Sequence, residues 1–296
     1  MIAIMGAGAV GSYLGARLAA AGRDVVLIGR AGHVDAVTAS GLRITRADGD
    51  EVVPVAATTD PAVVARADVV LCCVKSMDTA TAAEQLAAHV RSDTLVVSVQ
   101  NGIGNAEVLD AGLDARVAPS VIYVAVGMVG PGHVRYHGAG ELVLDAGADA
   151  DRLAEAFEGT GIVVRGVPDV RVALWAKLIA NCIWNPLSAV TGRTYGELWS
   201  VPGMPQVVED VGRECLAVGR AEGVDLPDDL VAQAAQLAHT MPNQLSSTAQ
   251  DLARGRLTEI DFLTGEIVRR GQRHGVPTPT TRLLTALVHA REGLAP

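Results

Sequence analysis

Aromatic residues make up only 3% of the chain, four Tyr, three Trp and two Phe, so small and branched aliphatic side chains have to fill most of its core. Cysteine is scarce as well. Cys72, Cys73, Cys182 and Cys215 lie in apolar stretches without metal-ligand spacing, which suits buried thiols in a reducing compartment. No block of Lys and Arg is present, and the formal net charge is -9 with a sequence pI of about 5.2. That balance argues against nucleic acid as a partner. It also makes each well-placed cation informative, because an anionic ligand then needs a local positive site. The first apolar run, residues 1–5, is short and has neither a basic flank nor a cleavage signal. Neither a secretory leader nor a membrane span is expected, and the cytoplasm is the default location. What the chain does have is length: 296 residues can bury a large core and suggest two domains.

Directly behind Met1-Ile2-Ala3-Ile4-Met5 stands Gly6-Ala7-Gly8-Ala9-Val10-Gly11, so the chain opens as a strand that bends through glycines into a helix. This is how a dinucleotide pyrophosphate is held: Gly6 makes the tight turn, Gly8 lets the backbone approach the phosphates, and Gly11 allows close packing of helix on strand. A second strand, Asp24 to Ile28, stops at Gly29-Arg30, where an adenosine ribose should lie. A NAD site usually offers a carboxylate there, whereas an arginine accommodates a ribose phosphate. Arg30 therefore points to NADP(H), its planar fork being suited to phosphate; the alternative is a solvated surface arginine.

Strands and helices alternate up to about residue 168, and helices predominate afterwards. A strand is expected at 69–74 with Lys75 at its carboxyl end, and another at 94–99 ending in Gln100-Asn101-Gly102. Open parallel sheets bind ligands at such ends, which makes Lys75 and Asn101 candidates for the nicotinamide half; a simple turn would also explain Asn101-Gly102. Residues 117–145 read as further strands punctuated by glycines and Pro131. His133 and His137 share a strand face with Arg135 by period-two spacing, but no third ligand joins them and no metal site is expected.

The second domain begins at residue 169, so the expected division is 1–168 and 169–296. Its first helix, covering 172–185, is apolar except for Lys177, Asn181 and Asn185, which recur every four residues and form a polar line along one face. Such groups are either hydrogen-bonded within a helix bundle or face a ligand. A second polar concentration runs from Gln244 to Asp251, followed by Thr258-Glu259-Ile260-Asp261. Thr258 and Asp261 can cap the next helix, with Ile260, Leu263, Ile267 and Val268 as its buried stripe and Glu259 in its first turn, where a carboxylate also favours the helix dipole.

These segments together resemble the ketopantoate reductase (2-dehydropantoate 2-reductase) family. The resemblance is carried by the glycine fingerprint, Val74-Lys75, Gln100-Asn101-Gly102, the run from Lys177 through Asn181 and Asn185 to Ala189, Ser246-Ser247-Thr248-Ala249-Gln250-Asp251 and Thr258-Glu259-Ile260-Asp261. It spans nearly the whole chain, and the helix with its two asparagines followed by the Ser-Ser and Thr-Glu-Ile-Asp segments is its specific part. The resemblance implies an α/β fold, a Rossmann-type NADP(H)-binding domain followed by a predominantly α-helical substrate and catalytic domain. It implies NADPH-dependent reduction of ketopantoate to (R)-pantoate, a step of pantothenate biosynthesis. By the same resemblance Lys177 is the catalytic residue, while Asn101, Asn181, Asn185, Ser247 and Glu259 bind substrate. Gly6 through Gly11, Arg30, Lys75 and Asn101 bind the cofactor. The chain departs from the family pattern at Tyr195 and Gln244, where some well-characterised members have asparagine, and at Thr248-Ala249 in place of the common Met-Leu. A reductase of another small 2-oxo acid is therefore the nearest alternative, and a non-catalytic dinucleotide-binding sensor is the alternative of a different class. A homodimer is permitted, since the glycine and alanine content allows close helix packing within one chain or between two.

Overall fold

The computed structural model describes residues 1–293, which fall into two compact units, Met1–Val170 and the remainder from Arg171. The first unit begins as the glycine pattern requires. Strand β1 (Ile2–Met5) is entirely buried and leads through the loop into helix α1 (Ala9–Ala20), whose small residues let it lie close on the sheet. Next come β2 (Val25–Ile28), α2 (Ala31–Ser40), an antiparallel pair β3 (Leu42–Arg46) and β4 (Gly49–Val53), and the short β5 (Ala56–Thr58). Strand β6 (Val69–Cys72), helix α3 (Thr79–Ala87), β7 (Leu95–Ser98) and α4 (Asn105–Gly112) continue the alternation. A long hairpin, β8 (Arg116–Gly130) and β9 (His133–Asp145), then turns at Pro131-Gly132, and α5 (Ala148–Ala156) and β10 (Val163–Val167) complete the unit.

The parallel strands lie in the order β5-β2-β1-β6-β7-β8, the arrangement of a doubly wound dinucleotide-binding sheet. β9 runs antiparallel to β8 and carries β3, β4 and β10 beside it. One face of the sheet packs Leu14, Leu18, Leu71, Val97, Leu142 and Phe157 into a core; the other packs Val70, Val96, Leu86 and Leu109 beneath α3 and α4. Strands covered on both faces are continuous apolar runs rather than alternating ones, as β1, β2, β6 and β7 are. The expected strands at 69–74 and 94–99 are shorter here, ending at Cys72 and Ser98, and β5 occupies a segment with no strand pattern of its own.

The second unit is helical: α6 (Val170–Thr191), α7 (Tyr195–Trp199), α8 (Met204–Ala221), α9 (Leu230–Ala235), α10 (Leu237–Thr240), α11 (Ser247–Ala253), α12 (Thr264–His274) and α13 (Pro279–Gly293). Its few aromatics are concentrated. Trp184 is fully buried, donates from Nε1 to the Ala234 carbonyl at 2.8 Å, and stacks on Tyr195 with ring centroids 4.9 Å apart. Gly219 of α8 sits against Trp175 of α6, where a Cβ would lie 2.8 Å from the indole. Among the described residues no helix is long and apolar enough to cross a membrane. The four cysteines are free thiols, and burial pushes the Cys72 thiol up to about 12.

Candidate active site

In the first unit the glycine loop joins β1 to α1 with Gly6 at φ +99°, a conformation that L side chains rarely adopt. A Cβ at Gly11 would stand 2.2 Å from the Gly6 carbonyl, so this glycine is required for the helix to sit on the strand, whereas a Cβ at Gly8 would meet nothing within 4 Å. The loop therefore opens in front of Gly8, and the first-turn N–H groups of α1 at Ala9, Val10 and Gly11 are of the kind a helix leaves without intrahelical partners. That is a cradle for an anion. Arg30 is exposed at the end of β2, at the N-terminal boundary of α2.

Lys75 and Asn101, both partly buried, follow the carboxyl ends of β6 and β7. A polar network that sequence reasoning missed holds them there. Gln100 donates from Nε2 to Thr79 Oγ1 at 2.7 Å and to the Val74 carbonyl at 3.2 Å. Asn105 donates from Nδ2 to the Asn101 carbonyl at 2.8 Å and to Ser76 Oγ at 3.2 Å, and Ser76 Oγ donates to the same Asn101 carbonyl at 3.0 Å. Gln100, Ser76, Thr79 and Asn105 are all buried. Buried polar groups are rare unless bonded, and here the bonding fixes the backbone on either side of the strand ends.

In the second unit Lys177, Asn181 and Asn185 lie along α6, with Asn185 buried and the other two partly so. Pro186 follows inside the same helix; lacking an N–H, it releases the Cys182 carbonyl from its intrahelical bond. Asn185 Nδ2 lies 3.4 Å from Ser247 Oγ, which brings these two candidates together. The serine pair divides its work. Buried Ser246 caps α11, accepting from the Ala249 N–H at 3.0 Å, and donates to the Asn185 carbonyl at 3.2 Å, while Ser247 is exposed. The Ser246 amide also donates to Ser188 Oγ at 3.2 Å, so α11 is fastened to α6 by the residue beside the one singled out from sequence.

Glu259 acts electrostatically on Lys177. Burial pulls the Lys177 ammonium down from 10.5 to about 8, and the Glu259 carboxylate opposes that shift. Glu259 itself does not occupy the first turn of an α-helix, as its sequence context suggested. It precedes a short 3-10 turn, Ile260–Phe262, and α12 begins only at Thr264. Thr258 does cap, accepting from the Ile260 N–H at 3.2 Å, but Asp261 turns instead to His289, 3.0 Å away. Tyr195, packed on Trp184, has its phenol raised to about 12 by burial, and its N–H donates to the Gln244 carbonyl at 3.1 Å. Tyr195 and Gln244 are thus neighbours joined through the backbone. His133 lies 2.8 Å from Thr45 Oγ1.

A doubly wound sheet with a glycine loop at its first strand-helix turn, followed by an all-helical unit bearing a polar row with a depressed lysine, defines a dinucleotide-binding oxidoreductase. The family can be stated more narrowly. Residues 2–149 match the model of ketopantoate reductase PanE/ApbA and residues 169–292 that of its C-terminal domain, and the chain belongs to this family. It is 35% identical over 295 residues to a 2-dehydropantoate 2-reductase of Halobacterium salinarum, covering 97% of each chain. The crystal structure of a PanE/ApbA family ketopantoate reductase from Ralstonia eutropha is 51% identical, with a TM-score of 0.95 and 99% of each chain covered. A D-mandelate dehydrogenase in ternary complex with NADH and anilino(oxo)acetate is 27% identical, with a TM-score of 0.93 and again 99% of each chain covered.

Proposed function

We propose that the protein reduces the C2 carbonyl of ketopantoate to (R)-pantoate with NADPH, using Lys177 as the general acid. The observation that carries this reading is the row of Lys177, Asn181 and Asn185 along α6, with Asn185 3.4 Å from Ser247 and Lys177 in the field of Glu259, in a chain of this family. A reduced nicotinamide dinucleotide at the glycine loop supplies the hydride. Gly6, Ala7, Gly8, Ala9, Val10 and Gly11 hold its pyrophosphate, Arg30 the additional ribose phosphate, and Lys75 and Asn101 the nicotinamide side. Lys177 Nζ stabilises the negative charge that grows on the carbonyl oxygen and delivers the proton it takes up. A lysine near 8 is protonated at neutral pH yet releases its proton more readily than an exposed one. Asn181, Asn185 and Ser247 orient the carboxylate and carbonyl without adding a competing negative charge. Glu259 accepts a hydrogen bond from the 4-hydroxyl, a contact that an acid lacking this group cannot make.

Steady-state assays with a panel of 2-oxo acids varied at C3 and C4 test this. NADPH oxidation should depend on ketopantoate, and Glu259→Ala should raise KM for ketopantoate while its penalty shrinks for acids that lack the 4-hydroxyl. Equal penalties throughout would reduce Glu259 to a structural role. Turnover of none of the acids would leave a dinucleotide-binding sensor as the reading. A second substrate reading rests on Tyr195, stacked on Trp184, and on the likeness to a D-mandelate dehydrogenase. Under it, a 2-oxo acid with a bulkier or aromatic substituent gives the highest kcat/KM. Arg30→Ala should weaken NADPH binding by about tenfold or more, as loss of a charge-assisted phosphate contact does, and leave NADH nearly unchanged.

A further inference from the structure

His33 lies in the first turn of α2, three residues beyond Arg30, yet its ring is engaged inward by two parts of the chain remote in sequence. The Gly132 N–H, at the turn of the β8-β9 hairpin, donates to His33 Nδ1 at 3.1 Å. His33 Nε2 lies 3.0 Å from Ser12 Oγ, and Ser12 Oγ lies 3.1 Å from the Ala7 carbonyl, to which it donates. Proton accounting settles the directions. A backbone N–H can only donate, so Nδ1 is an acceptor and the neutral ring carries its proton on Nε2. Ser12 has one proton, committed to Ala7, and therefore accepts from Nε2. Burial, which lowers the His33 pKa, favours the same neutral form. The series runs from the hairpin amide through the imidazole and a fully buried serine to a carbonyl inside the glycine loop.

Ala7 is where this series matters. Its N–H donates to the Ile28 carbonyl at 2.9 Å, and its methyl fills the place a Cβ on Gly29 would take, 2.8 Å away. The loop and the connection from β2 to α2 thus meet at one residue, held through its amide, its methyl and its carbonyl. The hairpin end is fixed as well: Gly132, at φ +66°, lies against Ala36 of α2, and its carbonyl accepts from the Arg43 N–H at 2.9 Å.

We propose that His33 and Ser12 form a brace that sets the Ala7 carbonyl and the plane of the glycine loop, making His33 a positioning residue for dinucleotide binding although both its ring nitrogens are occupied by protein groups. The proposal rests on the glycine loop being the dinucleotide site. It separates two parts of cofactor recognition. Arg30 discriminates between the two nicotinamide cofactors; the brace acts on the pyrophosphate cradle common to both.

The test measures Kd for NADPH and for NADH by fluorescence titration of the full-length protein, with melting temperatures recorded alongside. His33→Phe keeps an aromatic ring and removes both hydrogen bonds, and Ser12→Ala removes one oxygen. Each should raise both Kd values by a similar factor, about tenfold for a buried hydrogen bond left unmade, and the double variant should lose no more than the larger single effect. His33→Gln, whose amide can donate from the position of Nε2, should restore affinity, whereas His33→Asn, which reaches only as far as Nδ1, should not. Additive losses, unchanged Kd values in folded Ser12→Ala, or rescue by Asn equal to that by Gln would overturn the brace. If His33→Phe does not fold, Ser12→Ala and His33→Gln decide by the same criteria. A wild-type protein that binds neither cofactor would overturn the dinucleotide reading itself, a result distinguishable from failure of the brace alone.

Discussion

Lysine occurs twice in the whole chain, at positions 75 and 177, against twenty-two arginines. An arginine stays protonated in any protein environment, whereas a lysine changes its proton affinity when buried. The two positions that carry lysine are both candidate site positions, a signal readable in the composition without any structure. What composition could not say is how far Lys177 is shifted, because that depends on burial within the folded unit. With its pKa near 8, Lys177 is charged and competent as a general acid below that value. kcat/KM for 2-oxo acid reduction should therefore fall as pH rises through about 8, and oxidation of the 2-hydroxy acid should rise over the same range. Reductive methylation with 13C-labelled formaldehyde offers a direct reading, since only the two lysines and the N-terminus carry label, and the signal lost in Lys177→Arg should titrate near 8. The stability consequence has a definite sign. Between about 8 and 10.5 the unfolded chain binds a proton at this residue that the folded chain does not, so stability rises with pH there. Lys177→Met should accordingly abolish turnover while raising the melting temperature at neutral pH. That gain should diminish through the same interval; an unchanged melting temperature would contradict the burial cost.

The strand-turn-helix at the N-terminus separates two uses of glycine that look identical in sequence. Gly11 is required by packing and Gly8 by the space in front of it. Gly11→Ala forces a carbon onto the Gly6 carbonyl and should cost about 1–3 kcal/mol of stability, as overpacking does, with cofactor affinity lost as well. Gly8→Ala places its methyl in open space at a backbone φ of -76° that alanine readily adopts. Its melting temperature should stay close to that of the parent while NADPH affinity falls if, as proposed, the loop holds the pyrophosphate; a loss of stability equal to that of Gly11→Ala would refute the distinction. Helix α6 shows a similar mixture. Its four-residue spacing of Lys177, Asn181 and Asn185 is legible as a row, but the row's engagement with α11 runs through Ser246, not through the more exposed Ser247 alone. Helix α12 starts later than the Thr258-Glu259 pattern indicates, for a related reason. Thr258 gives a genuine capping signal, but it opens a 3-10 turn and also donates to Glu292 at 2.6 Å, a residue thirty-four positions away.

At the scale of the whole molecule, the net charge of -9 and a pI of about 5.2 mean that cations work against an acidic background. Solubility should pass through a minimum near pH 5.2, measured as turbidity against pH at low salt, since self-repulsion vanishes there. On the proposed role of Arg30, the affinity for NADPH should weaken with added salt more steeply than that for NADH, and the difference should disappear in Arg30→Ala, because screening would act on the extra phosphate contact. The second unit carries its own charge network: Glu222 of the α8 boundary faces Arg270 at 2.5 Å and His274 at 2.8 Å, and Arg270 also meets Glu266 at 2.7 Å. The Glu266–Arg270 pair is a local i,i+4 contact on α12, whereas Glu222 reaches Arg270 and His274 from a segment about fifty residues away, and nothing in the local sequence pairs those.

The sequence by itself determined the alternation of strands and helices, the turn of Gly6 through Gly11, the strand end at Arg30 and the polar row of α6, because each is set by periodicity or backbone sterics within a few residues. Tertiary structure decided the rest. It placed Ala56–Thr58 beside β2 as a sheet strand despite its weak pattern, set Glu259 where its charge acts on Lys177, gathered Gln100, Thr79 and Asn105 behind Asn101, and joined Gly132, His33, Ser12 and Ala7 in one series. Apart from the local Asn105–Asn101 and Ser12–Ala7 bonds, these link residues that are distant in sequence and become neighbours only when the chain topology is closed. A short polar side chain carries no mark of its partner until burial removes water as the alternative and makes a particular hydrogen bond obligatory.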